Sequence, residues 1–241
     1  MAYAIVDIET RIDKQLVNEV NYAGQGLNDD EAYARYRQEL LASSGSEFFP
    51  VVYHRPFVIC VGSVGGSWKL FSIEALGAPE LDEAALAREF WKRLTSFSGA
   101  IVTYNGRNFD LPVLELQALR LGLSAPAYFK ERYGARYRFS QEGHYDLQDF
   151  LSNYGAVRLR GGLKALAKLL GMPGASDLHG GLVQEYWESG RLTEIAAYCR
   201  RDVLLTYLLL LRVELLRGAL DQATHDAAWQ DALERYPELT G

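Results

Sequence analysis

The chain has 241 residues, 49% of them hydrophobic, and carries a formal net charge of −6. This length and apolar content suit one large folded domain with a substantial core and exclude a disordered chain. The acidic balance excludes a coat for duplex DNA held on by bulk charge, though not an enzyme that works on nucleic acid, and the two cysteines, Cys60 and Cys199, lack any zinc-like spacing and read as reduced thiols.

Residues 3–9 read as the first strand, and Met1 leads into it without a basic segment or a cleavable apolar run, so the protein reads as cytoplasmic. A polar, partly helical insertion covers 11–50, with a helix at 29–42; it either covers a site or decorates the surface. Strands at 56–64 and 68–73 are joined by Gly65-Gly66 as a hairpin, a helix follows at 82–97, and a fourth strand lies at 100–104. Helical patterns then dominate, at 112–121, 147–154, 162–170, 182–189 and 193–217, with a further helix in a C-terminal extension, 218–241. The apolar run LLTYLLLLRVELL is interrupted by Arg212 and Glu214 and does not read as a membrane span. Strands first and helices later, with no linker between two cores, predict a single α/β domain over 1–241, a mixed central sheet with a β-hairpin flanked by helices.

The opening stretch AIVDIETRID sets two acids in an apolar strand. Side chains at i and i+2 share a face, so Asp7 and Glu9 lie together while Val6 and Ile8 enter the core on the other side. Two neighbouring carboxylates repel, and burying them calls for a bound cation, a hydrogen-bond network or a raised pKa. A second acid, Asp110, lies in TYNGRNFDLP between a strand and a helix. Capping of a helix that opens near Pro112 explains it when taken alone, but it also follows a strand's end, where sites on α/β sheets gather. In EIAAYCRRDVLLTYLLLLR, Tyr198 and Asp202 are four residues apart and share a helix face.

Together, DIET, YNGRNFDLP, HYDLQDFLSNYG, LKALAKLLGMPG and EIAAYCRRDVLLTYLLLLR resemble the DEDD family of 3′–5′ exonucleases, Tyr subclass, and within it the bacterial stand-alone exonucleases related to the proofreading domain of family B DNA polymerases. The resemblance runs over residues 3 to 220 and implies a ribonuclease H-like fold. It implies a two-metal site in which Asp7 bridges both ions, Glu9 and Asp202 complete the first, and Asp110 holds the second directly or through water. Tyr198 would orient the attacking water, and Asn105 and Phe109 fall where the family contacts the terminal nucleotide; a turn residue and a core aromatic are their plainer readings. Hydrolysis of a phosphodiester asks for the same hard-oxygen site, suited to two Mg²⁺ or Mn²⁺ ions. The implied activity is release of nucleoside 5′-monophosphates from the 3′ end of single-stranded DNA. Single-stranded nucleic acid is thus the expected partner, with DNA preferred over RNA. An exoribonuclease acting on short RNA and a non-cleaving nucleic-acid-binding module on the same fold are the alternatives.

Asp146, in HYDLQDF, reads as an N-cap and not as a fifth ligand. His144, His179 and the other histidines have no metal-like spacing and read as loop or surface residues. Relatives often carry a Lys after the Pro-Gly that here is Pro173-Gly174 and is followed by Ala175, and acids where this chain has Arg200-Arg201. These arginines either supply a phosphate contact or face solvent. Residues 130–168 hold eight basic side chains against four acidic ones, including Lys130, Arg132, Arg136, Arg138, Arg158 and Arg160 opposed by Glu131 and others, either a solvated face or a guide for a phosphate backbone.

Overall fold

The computed structural model describes residues 2–76, 82–130, 134–139, 141–174 and 180–240. Glu131, Arg132, Ala175 and His179, all weighed above, lie outside the described residues. Five strands, β1 (Tyr3–Ile12), β2 (His54–Val64), β3 (Leu70–Leu76), β4 (Ala100–Thr103) and β5 (His144–Asp146), form a mixed sheet in the order β3-β2-β1-β4-β5. β1 runs antiparallel to β2 and parallel to β4; β3 and β5 extend the sheet antiparallel and parallel respectively. The described helices are α1 (Lys14–Asn21), α2 (Asp29–Ser44), α3 (Glu83–Ser96), α4 (Asp110–Arg120), α5 (Leu147–Leu151), α6 (Gly162–Leu169), α7 (Val183–Glu188), α8 (Leu192–Leu216) and α9 (Gln222–Arg235).

Strand alternation sorts the central strands between two cores. Ile5 and Cys60 join the α8 side with Cys199, Val203 and Tyr207, whereas Val6, Ile8 and Ile59 pack with Leu86, Phe90 and Leu114 of α3 and α4. In α8 every residue of 203–211 is buried, because the helix lies between the sheet and α9 and has no solvent face there. Each such fully buried Leu contributes about 1.5–3 kcal/mol through apolar burial. No described helix is long and apolar enough to cross a membrane.

The differences from the sequence expectation have local causes. Trp68 belongs to the turn and not to the strand: it has φ 66°, its N–H donates to Gly65 O at 3.0 Å, and β3 starts at Leu70. α4 opens at Asp110, with Pro112 third in the helix, where a missing N–H still costs no helical bond. β5, three residues long, and α1 carry too little pattern to stand out. The histidines correct the loop-or-surface expectation. His54 begins β2, His144 begins β5 and His225 lies on α9, and all three are buried. The insertion has its own small core, where Val17, Tyr22 and Ala32 meet Phe49 and Tyr53.

Candidate active site

β1 and α8 bring three acids together. Ile195, Cys199 and Val203 set the buried stripe of α8, which turns Tyr198 and Asp202 along its flank toward β1. The thiol of Cys199 donates to Asp7 O at 3.4 Å, fixing the crossing. Asp7, Glu9 and Asp202 each then offer a carboxylate oxygen, and these oxygens all lie within 4.8 Å of one another. Asp110 stands on the flank of this group and is not among the three. β4 pairs with β1 only from Tyr3 to Ile5, so the N–H of Ile8 has no strand partner on that edge and donates to Asp110 Oδ1 at 3.2 Å. That contact corrects the capping expectation: the cap residue of α4 is Phe109, without a side-chain bond, and the Asp110 carboxylate faces β1. A bulge between Glu9 and Thr10 bends the strand pair beside the site. Pro56 is tolerated there because β3 pairs with β2 only from Ile59 onward.

The electrostatics are those of crowded acids. Burial, then repulsion from Asp202, Asp110 and Glu9, pushes Asp7 well above the usual carboxylate range; burial, then Asp202 and Asp110, does the same to Glu9. Burial pushes Asp110 up to about 7 and Asp202 up to about 6. Asp7 Oδ2 is shut from solvent without a hydrogen-bond partner, and no ion pair engages any of the four acids among the described residues. Burial, then the carboxylates of Asp202, Glu9 and Asp7, raises the pKa of the Tyr198 hydroxyl far above 10. An acid cluster with an unpartnered buried oxygen and, among the described residues, no ion-paired cationic side chain fits hard divalent cations with oxygen ligands.

Asn105 has φ 66°, and its Oδ1 accepts from Asn108 at 2.9 Å and from Gln148 at 3.0 Å, leaving the amide N–H₂ as the free end among the described residues. Phe109 packs edge-on against His54, with centroids 4.9 Å apart, and against Phe48 at 5.4 Å. Asp146 is the N-cap of α5 and also accepts from the N–H groups of Asn105 and Arg107, so its role is in the fold. Arg200 and Arg201 do not simply face solvent: they tie down the C-terminal segment through Glu238 at 3.3 Å and Leu239 O at 3.2 Å.

Sequence reasoning missed the cavity beside Glu9, about 390 Å³, whose walls include Thr10, Phe48, His54, Phe109 and Gln184. Thr10 Oγ1 lies 2.7 Å from His54 Nδ1, and burial lowers the pKa of that imidazole. The end of the 11–50 insertion therefore forms one wall, and the signal for it was Phe48-Phe49 closing an otherwise polar stretch.

Residues 46–237 match the model of a family described as predicted 3′–5′ exonucleases related to the exonuclease domain of PolB. The match includes Asp110, Tyr198 and Asp202 and begins after Asp7 and Glu9. Among solved structures, the chain is similar to the family B DNA polymerase from the hyperthermophilic archaeon Pyrobaculum calidifontis, with 19% identity and a TM-score of 0.55, covering 89% of this chain and 24% of the polymerase. It is also similar to product-bound exonuclease I, with 14% identity and a TM-score of 0.50, covering 94% of this chain and 45% of that one. At these identities the likeness is one of fold, which is ribonuclease H-like, and the chain spans less than half the length of either protein. No curated protein sequence matches it.

Proposed function

The chain belongs to the family of predicted 3′–5′ exonucleases related to the exonuclease domain of PolB, and from that premise we propose that it hydrolyses single-stranded DNA from the 3′ end with two divalent cations, Mg²⁺ or Mn²⁺, releasing nucleoside 5′-monophosphates. One observation carries the proposal: oxygens of Asp7, Glu9 and Asp202 lie within 4.8 Å of one another, and no ion pair engages them among the described residues. Asp7, which faces Glu9, Asp110 and Asp202, would contribute to holding both cations; Glu9 and Asp202 would complete one cation's protein ligands, and Asp110, on the flank, would hold the other directly or through water. When bound, such cations supply the charge that makes a water nucleophilic near neutral pH and stabilises the leaving alkoxide.

The remaining residues position the substrate. Tyr198, as in the Tyr subclass, donates a hydrogen bond that orients water; held protonated by burial and three carboxylates, it is no general base. Asn105 offers its amide N–H₂ to the terminal sugar or base, and Phe109 a ring beside the cavity next to Glu9. The deciding experiment incubates the protein with 5′-labelled single-stranded DNA and matched RNA in Mg²⁺, Mn²⁺ or EDTA, with Asp7→Ala as control. A metal-dependent ladder shortening from the 3′ end, faster on DNA and absent in the variant, is expected. Equal or faster RNA degradation would move the assignment to an exoribonuclease, and intact substrate in every lane would move it to a binding module.

A further inference from the structure

Six aromatic side chains stand exposed among the described residues, and four of them, Phe129, Tyr137, Phe139 and Tyr154, fall between positions 129 and 154. Phe139 is 68% exposed. The rings of Tyr137, Phe139 and Tyr154 touch in series, with centroids 6.3 and 5.6 Å apart. Single exposed rings are ordinary, but a contiguous exposed row is the mark of a binding surface.

This row is held in place. Arg138, between two of the rings, donates to both oxygens of Asp149 at 3.0 and 2.7 Å and to Tyr154 O at 2.9 Å. Asn153 and Tyr154 sit at φ 52° and 56°, a left-handed backbone that turns the Tyr154 ring toward Phe139. The surface is also basic. Arg136 lies over the Phe129 ring and pairs with Glu115 at 3.2 Å, while Arg158 and Arg160 are exposed and make no ion pair or hydrogen bond with the described residues. Finally, the ledge is joined to the candidate site. Arg107, three positions before Asp110, donates its N–H to Asp146 at 2.8 Å and reaches the carbonyl of Arg136 with its guanidinium at 3.4 Å.

We propose that this ledge binds the single-stranded nucleic acid upstream of the end being cut, its rings stacking on successive bases and Arg158 and Arg160 meeting phosphates. The proposal rests on the exonuclease reading above. Rings serve any base, because every base has a π-face, and free guanidinium groups add salt-sensitive attraction for the backbone. An apolar protein partner would leave those two arginines without a counter-charge, whereas a polyanion supplies one at each nucleotide. The net charge of −6 makes a local basic strip more selective for where a strand can lie.

The test compares the parent with Phe139→Ala and with the double variant Arg158→Glu/Arg160→Glu, using two probes. One is a 5′-fluorescein oligothymidylate long enough to reach from the carboxylates over the ledge, its affinity read by anisotropy in EDTA. The other is the p-nitrophenyl ester of thymidine 5′-monophosphate, which reaches only the carboxylates, with hydrolysis read in Mn²⁺. Oligonucleotide affinity should fall by about 5- to 150-fold in Phe139→Ala, the span that loss of one base stack gives. It should also fall in the arginine variant, with a shallower salt dependence, while ester hydrolysis is unchanged in both. Parental affinity in both variants would overturn the ledge and leave the exonuclease reading untouched. Reduced affinity with no hydrolysis by the parent of either substrate would uphold the ledge and overturn the catalytic reading. Should Phe139→Ala lose ester hydrolysis as well, Phe139→Tyr decides: restored oligonucleotide affinity supports stacking, and its absence refutes it.

Discussion

Asp146, at the end of β5, and Asp7, on β1, are acids on the two strands that flank β4, yet their surroundings are opposite. Asp146 is buried and accepts from four backbone N–H groups, those of Asn105, Arg107, Gln148 and Asp149, at 2.8 to 3.1 Å. Those bonds pull down a pKa that burial raises. Asp7 faces Glu9, Asp110 and Asp202, and its Oδ2 has no partner. One carboxylate is satisfied by the protein itself and the other only by something added. A buried acid marks a functional site when its charge is left uncompensated, and marks a joint in the fold when the backbone compensates it.

Activity gives this contrast its widest separation. Asp7→Asn or Asp202→Asn should slow release of 5′-labelled product by about 10³-fold or more, a loss of roughly 4 kcal/mol of transition-state stabilisation. Asp146→Asn should retain turnover in the fraction that is folded. Rates measured at saturating Mn²⁺ on the three variants check this, and an inactive, folded Asp146→Asn protein would break the comparison.

Stability should invert the order. Asp146→Ala leaves four N–H groups to find new partners and should cost about 2–4 kcal/mol in urea unfolding. Asp7→Asn removes like-charge repulsion and should gain about 1 kcal/mol in EDTA. Equal midpoints for parent and Asp7→Asn would mean that the acids are already compensated.

An effect visible only in acid comes from His144, which anchors the same joint as Asp146 through Thr103 Oγ1 at 2.8 Å. Burial lowers its pKa to about 3, from an ordinary value near 6.5, so the unfolded chain binds a proton in that interval that the folded chain refuses. Its contribution is therefore present above about pH 6.5 and lost as pH falls toward 3. His144→Gln, which keeps a bond to Thr103 without titrating, should flatten the acid limb of a plot of unfolding midpoint against pH.

Residues whose pattern is long or repeated were readable in advance. The i, i+2 acids of β1, the Tyr198/Asp202 pair and the alternation of Val6 and Ile8 against Ile5 follow from periods of 2 and 3.6, and the structure sets them as those periods require. What escaped depends on long-range partners. Asp110, expected in the site from the resemblance, taken alone read as a cap because its contact with the N–H of Ile8 is about a hundred residues away in sequence and exists only because β4 stops short. His144 looked like a surface residue because a three-residue strand has no period. Phe48 and His54 reach the cavity beside Glu9 only through the packing of the insertion, and the Arg200 and Arg201 contacts required knowing where the chain's end folds back.

In the proposed function, the acids around Asp7 form a cation site and the acid at Asp146 does not. Isothermal titration of Mn²⁺ into the parent, Asp7→Asn and Asp146→Asn, with thymidine 5′-monophosphate present, tests this directly. Two ions per chain in the parent and in folded Asp146→Asn, with loss of at least one in Asp7→Asn, is the predicted result. Unchanged stoichiometry and affinity in Asp7→Asn would contradict it.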